Sequence, residues 1–331
     1  MPTFIEVCAG AGGLGTGFID GGFTPLLLNE IDSTCCDTLR KNHPGVEVVC
    51  SDMQTLKLDT YKGRVDVLMG GVPCQAFSQA GERRGFDDPR GQLILDFNRL
   101  VLECMPKILM VENVKGLTTH NSGATLTSVL ELFANGGQYA MYHKVLNAND
   151  YGVAQKRERI IIVGVRSDIS APFVHPEKQT YKPVLRDVLL DVPASPGAAY
   201  PDAKRKIFDM VPPGGCWVNL PESVQREYMG ASFHSGGGKR GIARRLSMDE
   251  ACLTLTTSPC QKQTDRCHPL ESRPFTVREY ARIQSFPDSY VFSGTPAKQY
   301  KQIGNAVPVK LAEAVARQLL RFLETHTTET A

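Results

Sequence analysis

The chain has no long hydrophobic run. Of its 331 residues, 42% are hydrophobic and 22% are charged, and no apolar run approaches the roughly 18 residues that a membrane-spanning helix needs. The N-terminal residues MPTFIEVCAG lack the basic stretch and apolar core of a signal peptide. These absences argue against a membrane protein and predict a cytoplasmic one.

Closely spaced cysteine pairs are also missing. The ten cysteines are scattered along the chain, whereas a disulfide framework is typical of short secreted proteins. Cys252, Cys260 and Cys267 are separated by seven and six residues, which is not the Cys-x-x-Cys spacing of a zinc site. We therefore expect reduced thiols and no structural metal.

No excess of charge of one sign is present. Lysine and arginine number 37 against 35 aspartates and glutamates, a net charge of +2. A nucleic-acid enzyme can be close to neutral overall while one of its faces is basic, so the net charge excludes no partner. The length suits one large domain and one small one.

What the sequence does contain is an alternation of strand and helix patterns. Short apolar runs predict strands at residues 4–8, 25–29, 46–50, 65–69, 108–112, 141–146 and 159–165. Helical patterns lie at residues 14–20, 33–41, 93–103 and 125–133. This alternation is typical of a parallel sheet covered by helices, and it predicts a doubly wound α/β domain.

The texture changes after about residue 170, where eight prolines up to Pro213 interrupt any long helix. Beyond Pro308 a helical apolar stripe returns, formed by Leu311, Ala312, Val315, Ala316, Leu319 and Leu323. We expect this helix to pack on the first domain. The prediction is a large domain of residues 1–178 and 296–331, with a smaller, irregular domain of residues 179–295.

A glycine-rich turn, FIEVCAGAGG at residues 4–13, follows the first predicted strand. Glycines at such a turn let the backbone approach a ligand at the carboxyl edge of a sheet. Gly10, Gly12 and Gly15 also satisfy G-x-G-x-x-G, and Glu30 ends the next strand, as in a dinucleotide site. The turn predicts a nucleoside cofactor without identifying it, and a merely tight strand-helix turn fits as well.

Three further pieces carry polar groups to the same edge. Cys74 stands in GGVPCQAFS after an apolar strand, where α/β enzymes keep catalytic groups; the alternative, a buried apolar cysteine, suits Cys104 and Cys252 better. Glu112 ends the predicted strand 108–112 and is followed by Asn113 and Val114; a buried glutamate with a raised pKa can donate a proton to a ring nitrogen. The arginines of QKRER at 155–159 would point to this edge, although a solvated salt-bridge cluster explains them equally well.

Together these motifs resemble the cytosine-C5 DNA methyltransferase family of bacterial restriction-modification systems. The resemblance continues through Thr254-Leu255, RPFTVREYARIQSFP at 273–287 and QIGNAVP at 302–308, and it covers the chain except for about residues 170–251. It implies a Rossmann-like domain that binds S-adenosylmethionine and a smaller target-recognition domain. The implied activity is methyl transfer to C5 of a cytosine flipped out of a short specific sequence of double-stranded DNA, which protects host DNA.

The resemblance also implies catalytic roles. Cys74 adds to C6 of the cytosine while Glu112 holds and protonates N3. Arg159 helps to hold the base and to stabilise the thiolate, Arg157 belongs to the same site, and Asn113 supports it from behind.

For the cofactor, the resemblance assigns Glu30 to the ribose, Asp52 to the adenine amine, and Gly10, Gly12 and Asn305 to the amino-acid end. The remaining implied cofactor contacts are Cys8, Gly13, Ile31, Met53, Pro73, Leu93 and Ala306. The chain departs from the family where Glu6 and Cys8 replace aspartate and phenylalanine. Cys8 offers less area to an adenine ring than phenylalanine does.

DNA contacts are expected from two regions. The loop 77–90 should close over DNA, and the segment 234–245 carries four cations, no carboxylate and several glycines. A solvated flexible loop is the alternative for that segment. The implied DNA-binding residues are Gln75, Ser78, Arg90, Lys239, Arg240, Arg244, Arg245, Thr254 and Gln261.

Three other functions compete with this interpretation. A tRNA cytosine methyltransferase would carry a Cys-Phe-Thr element that the chain lacks, and an inactive DNA-binding regulator would be expected to lose Cys74 or Glu112. A nicotinamide oxidoreductase accounts for the glycine turn alone. We expect a monomer that acts on duplex DNA, alongside a cognate restriction endonuclease with which it forms no stable complex.

Overall fold

A computed structural model describes residues 1–72, 89–234, 241–261 and 264–327. Its largest element is a sheet of seven strands. These are β1 (Thr3–Val7), β2 (Thr24–Glu30), β3 (Glu47–Cys50), β4 (Val67–Gly70), β5 (Ile108–Val114), β6 (Tyr139–Asn147) and β8 (Glu158–Arg166). Two short strands, β7 (Gln155–Lys156) and β9 (Cys252–Leu253), pair separately. Every long strand begins and ends within two residues of its predicted position, because buried strands are clear apolar runs.

The order of the strands is β3-β2-β1-β4-β5-β8-β6. Strands β1 to β5 are parallel, whereas β8 runs antiparallel to both of its neighbours. The α/β class is confirmed, with the correction that the sheet is mixed. The reason is the connection from β6 to β8, which is too short for the crossover that a parallel pair requires.

Helices cover both faces of the sheet. Helices α1 (Gly13–Asp20), α2 (Ser33–Asn42), α3 (Pro89–Cys104), α4 (Ala124–Ala134) and α10 (Val309–His326) surround it. Successive strand residues alternate between the faces, so Phe4 packs in one core with Leu311 of α10 and Ile5 in the other with Phe97 of α3. α10 lies directly on α1, as expected from its apolar stripe: a Cβ on Gly17 would lie 2.4 Å from the Cβ of Ala312.

The rest of the chain is irregular and contains shorter helices. These are α5 (Arg186–Leu189), α6 (Asp202–Asp209), α7 (Glu222–Met229), α8 (Val277–Ile283) and α9 (Pro296–Asn305). One core forms around the stacked rings of Tyr200 and Phe208, with Trp217 beside them. Another joins α8 and α9 to Ala11 of the glycine turn. The predicted boundaries near residues 178 and 295 stay predictions.

The described residues contain neither a membrane-spanning helix nor a metal-binding cluster. No helix there is long and apolar enough to cross a bilayer. No group of three or more histidine, cysteine, aspartate and glutamate side chains in those residues is arranged to hold a metal ion.

Candidate active site

One cavity of about 960 Å³ opens at the carboxyl edge of the sheet. Its walls include the glycine turn after β1, Glu30 at the end of β2, Glu112 of β5 and Arg159 of β8. Residues 254–257 and the end of α9 also line it. The strand order reverses between β1 and β4, and ligands of open α/β sheets bind at such a reversal. Chain topology therefore brings the polar groups of four separate segments to one place.

Glu112 and Arg159 form an ion pair inside this cavity. The Nε of Arg159 lies 2.8 Å from Oε1 of Glu112, and the two side chains are only 13% and 12% exposed. In the antiparallel register Val114 is paired with Arg159. Glu112, two residues before Val114, is therefore the diagonal neighbour of Arg159 on the same face of the sheet. Burial raises the pKa of the Glu112 carboxyl, while Arg159 and Arg157 oppose that shift. The carboxyl can therefore hold a proton at a higher pH than an exposed glutamate.

Arg157 lies beside this pair and serves as a strut. It is buried, and its Nη1 and Nη2 donate to the carbonyl oxygens of Leu255 (3.2 Å) and Gly304 (2.9 Å). Burial lowers the pKa of its guanidinium, and the charge of Arg159 lowers it further. Arg157 thus fixes two cavity walls to the strand that carries Arg159.

Asn113 ties together the chain segments that leave β4 and β5. Its Nδ2 donates to the carbonyl oxygen of Val72 at 2.7 Å, and its Oδ1 accepts from the backbone N–H of Val114 at 2.8 Å. A Cβ on Gly71 would lie 3.4 Å from Oε2 of Glu112, so the backbone after β4 runs next to this carboxyl. The predicted residues Pro73, Cys74, Gln75 and Ser78 lie outside the described residues.

The glycine turn is held by Glu30. Its Oε2 accepts from the N–H of Gly10 at 2.7 Å, and its Oε1 accepts from the N–H groups of Ile31 and Asp32 at 2.9 Å each. Gly10 has a φ of +55°, and a Cβ there would meet nothing within 4 Å. A carboxylate offers about four acceptor positions, so Glu30 keeps one for a ligand.

The two departures from the family pattern lie side by side at this edge. Glu6 is 2% exposed, and its Oε2 has no hydrogen-bond partner among the described residues. Burial raises the pKa of this carboxyl well above its usual value. Burial and the nearby carboxylates of Glu30, Asp52 and Glu6 raise the pKa of the Cys8 thiol to about 12. Cys8 is therefore a neutral thiol in the cavity wall.

The described cavity lining contains some of the predicted cofactor residues and not others. Cys8, Gly10, Gly13, Glu30, Ile31, Asn305 and Ala306 belong to it. Gly12, Asp52, Met53 and Leu93 do not. Met53 is in the core, Leu93 packs against that core, and the Asp52 carboxylate accepts from the N–H of Gln54.

Arg245, for which DNA contact was predicted, is hydrogen-bonded within the protein. Its side chain is buried, and its guanidinium donates to Phe208 and His268 carbonyl oxygens and to the Ser272 hydroxyl. Arg244 donates to both carboxylate oxygens of Glu250 at 2.8 and 2.6 Å. The sequence pattern of cations could not reveal these acceptors, which lie elsewhere in the chain.

Other predicted DNA-binding residues have mixed positions. Thr254 and Gln261 line the cavity, and the Thr254 hydroxyl donates to the carbonyl oxygen of Lys156. Lys239 and Arg240 lie outside the described residues, as does the side chain of Arg90.

Sequence reasoning missed two lysines. Lys298 and Lys301 of α9 line the cavity, and the Nζ of Lys298 donates to the Thr34 hydroxyl at 2.8 Å. Their spacing of three places them on one side of a helix, directly before the QIGNAVP motif. That spacing was the available signal.

The comparisons with known proteins agree with this geometry. The family model for C-5 cytosine-specific DNA methylases matches residues 2–321. The chain is similar to the type II methyltransferase M.Sau96I of Staphylococcus aureus, with 51% identity over 96% of this chain and 75% of the relative. It is also similar to the type II methyltransferase M.Eco47II of Escherichia coli, with 50% identity over 97% of this chain and 79% of the relative.

A solved structure extends the likeness to the fold. It is a DNA modification methyltransferase encoded within an Escherichia coli prophage, with a TM-score of 0.73 and 25% identity over 98% of this chain and all of the other. The matched family, the relatives and the cavity at the sheet edge lead to one conclusion. The chain belongs to the C-5 cytosine-specific DNA methylase family and is a cytosine-C5 DNA methyltransferase of the type II restriction-modification kind.

Proposed function

We propose that the protein uses S-adenosylmethionine to methylate a cytosine that it extrudes from duplex DNA, and that this modification protects host DNA from a cognate endonuclease. The carrying observation is that Glu30 with its glycine turn and the Glu112–Arg159 pair face one cavity. Glu30 and the glycine turn suit a nucleoside, and the Glu112–Arg159 pair suits a base whose ring nitrogen is protonated. The protein would act as a monomer without a stable endonuclease complex.

The described residues around Glu30 and the glycine turn fit S-adenosylmethionine. A cavity of about 960 Å³ is at the upper end of the usual range for small-molecule sites. Glu30 has an acceptor position left for a ribose hydroxyl, and Ile31, which is 66% exposed, offers apolar surface to a ring. The open backbone at Gly10 leaves room for close approach. When bound there, S-adenosylmethionine supplies an electrophilic methyl group.

The nucleophile that we assign is Cys74. Cys8 and Cys35 are the cysteines in the described lining of the cavity. The pKa of each thiol is raised to about 12, mainly by burial, and a neutral thiol is a poor nucleophile. Cys74 follows β4 by four residues, in the motif that carries the family's nucleophile.

The proposed reaction uses Glu112 and Arg159, the two polar groups that would contact the cytosine. The Cys74 thiolate adds to C6 of the extruded cytosine while Glu112 donates its proton to N3, which makes C5 electron-rich. Arg159 stabilises the thiolate before attack and holds the Glu112 carboxylate after proton transfer. Once C5 carries the methyl group, the C5 proton leaves to a base. The C6–S bond then breaks, and N3 returns its proton to Glu112.

Covalent trapping tests this function. Fluorine in place of the C5 hydrogen blocks the proton loss, so duplex DNA with 5-fluorocytosine at the target should give a stable protein-DNA adduct in the presence of S-adenosylmethionine. The adduct should be visible in denaturing gels, require the cofactor and vanish in Cys74→Ser. Cys260→Ser is the matched control and should still be trapped. Peptide mapping of the adduct to any other cysteine, or equal methylation of tRNA, would overturn the assignment.

A further inference from the structure

Tyr290 lies directly beneath the glycine turn. Its hydroxyl donates to the carbonyl oxygen of Ala11 at 2.6 Å, and its side chain is buried. The ring packs against Phe286 and Phe292, with centroid distances of 4.8 and 5.2 Å. A residue near the C-terminal end of the chain thus reaches the first turn of the fold.

A second hydroxyl holds the next residue of the turn. The hydroxyl and the backbone N–H of Thr16 both donate to the carbonyl oxygen of Gly12, at 2.7 and 2.8 Å. The Nε2 of His43 lies 3.4 Å from the Tyr290 hydroxyl and 3.5 Å from that of Thr16. Burial lowers the pKa of His43, so this contact is made by a neutral ring. Two consecutive carbonyls of the turn are therefore fixed from the side away from the cavity.

The space below the turn is completely filled. A Cβ on Gly12 would lie 2.7 Å from both the Tyr290 hydroxyl and Cδ2 of Leu39, and 3.3 Å from Nε2 of His43. Gly12 also has a φ of +77°, which favours glycine. The predicted cofactor residue Gly12 thus serves to admit Tyr290 and His43.

The segment that carries Tyr290 is itself firmly attached to α2. Asn42 exchanges two hydrogen bonds with the backbone of Val291, both 2.8 Å. The N–H of Ser293 donates to the Thr38 hydroxyl at 2.9 Å. Tyr290 is therefore anchored independently of the turn that it supports.

We propose that Tyr290 is a positioning residue that sets the affinity for the cofactor by fixing the Ala11 carbonyl. On the opposite side of the same turn, Gly10 and Gly13 line the cavity. Glycine loses more conformational freedom on ordering than any other residue, so a glycine-rich turn that is already ordered reduces the cost of binding. The inference rests on the proposed use of S-adenosylmethionine.

The test compares two tyrosine-to-phenylalanine variants. Tyr290→Phe keeps the ring and removes the hydrogen bond to Ala11. Tyr139→Phe is the matched control, because Tyr139 is also buried and its hydroxyl donates to the carbonyl oxygen of Pro106 at 2.9 Å, in a strand outside the cavity lining. Affinity for S-adenosylmethionine is measured by calorimetry. The KM for S-adenosylmethionine and kcat are measured with duplex DNA as the methyl acceptor.

Tyr290→Phe should raise the cofactor Kd and KM about threefold to tenfold, the range of one net hydrogen bond, with kcat at saturating cofactor unchanged. Tyr139→Phe should lower the melting temperature about as much as Tyr290→Phe does, because each variant loses one buried hydrogen bond. It should leave the cofactor Kd at the wild-type value. Thr16→Val removes the hydroxyl donor to Gly12 and leaves the backbone N–H donor in place. It should therefore weaken binding in the same direction but by less than Tyr290→Phe, and it keeps the test valid if Tyr290→Phe does not fold.

The outcomes separate the two proposals. Wild-type protein that shows no binding of S-adenosylmethionine would overturn the proposed function. Wild-type binding with an unchanged Kd in both Tyr290→Phe and Thr16→Val would overturn the role of Tyr290 alone. If Tyr139→Phe weakens cofactor binding as much as Tyr290→Phe does, the effect reflects a general loss of stability, and the role of Tyr290 is also overturned.

Discussion

The guanidinium of Arg157 donates to the carbonyl oxygen of Gly304, 147 positions later in the chain. Gly304 in turn lies against the backbone of Thr256, where a Cβ would come within 2.2 Å of the carbonyl oxygen. One arginine therefore joins the strand that carries Arg159, the end of α9 and the segment 254–257. All three are walls of the active-site cavity.

Replacing Arg157 with lysine should destabilise the protein by about 2–4 kcal/mol, because an ammonium cannot reach both carbonyls and leaves a buried acceptor unpaired. Denaturant unfolding measures this change. Arg186→Lys is the control: Arg186 pairs with Asp249 at the surface, and exposed pairs contribute about 0–1 kcal/mol. A loss for Arg157→Lys no larger than that of the control would contradict the role of Arg157 as a strut.

Glu112→Gln should lower the single-turnover rate by about 10²- to 10⁴-fold, because an amide can bind the base and cannot deliver a proton. The raised pKa of Glu112 gives the wild type an alkaline limb, since the acid form is lost as pH rises through that pKa. This limb should disappear in the variant. Glu158→Gln, which removes an exposed partner of Lys115, should retain both rate and pH profile; an unchanged rate in Glu112→Gln would remove Glu112 from the mechanism.

Glu6 should make stability fall with rising pH. Its pKa is raised in the folded protein, so above its ordinary pKa the unfolded chain ionises readily and the folded one resists ionisation. Glu6→Gln should therefore gain in melting temperature over wild type as pH rises above the ordinary pKa of a glutamate.

Glu279 provides a control of opposite sign. Hydrogen bonds from Arg273 and the N–H of Thr276 lower its pKa against the effect of burial, so its contribution to stability is lost as pH falls. Glu279→Gln should cost most at neutral pH and least in acid. If the difference in melting temperature between Glu6→Gln and wild type does not vary with pH, the raised pKa of Glu6 in the folded protein is contradicted.

The basic segment should divide into structural and DNA-binding residues. Arg245→Ala should destabilise by about 2–5 kcal/mol, since it removes a buried guanidinium from several acceptors, and should leave the salt dependence of DNA binding unchanged in folded protein. Lys239→Ala and Arg240→Ala should keep stability and each reduce the slope of log K against log salt by about 1 if they contact phosphates. Slopes that stay at the wild-type value in both would make this part of the segment a solvated loop.

Local patterns were sufficient for much of this molecule. The apolar runs located the strands, and Glu112 was placed at the sheet edge because the predicted strand 108–112 ends in that carboxylate. The direction of β8 could not be read, since an apolar run looks the same in either orientation. Its pairing decides that Glu112 and Arg159 meet.

Non-local contacts account for what the sequence did not predict. Arg245 has the same surroundings in sequence as a DNA-binding arginine, and only the acceptors folded around it, such as the carbonyl of Phe208, identify it as structural. Tyr290 gave no signal, because its partner Ala11 is 279 positions away. The role of such residues depends on chain topology rather than on local pattern.

The packing of α10 on α1 has a consequence for how the protein is made. During synthesis α1 leaves the ribosome first, but the helix that covers it begins only at Val309. The apolar face of α1 therefore stays exposed until residues 309–326 have been synthesised, a state prone to aggregation and to chaperone binding. The hydrophobic core between α1 and α10 closes only after α10 has docked.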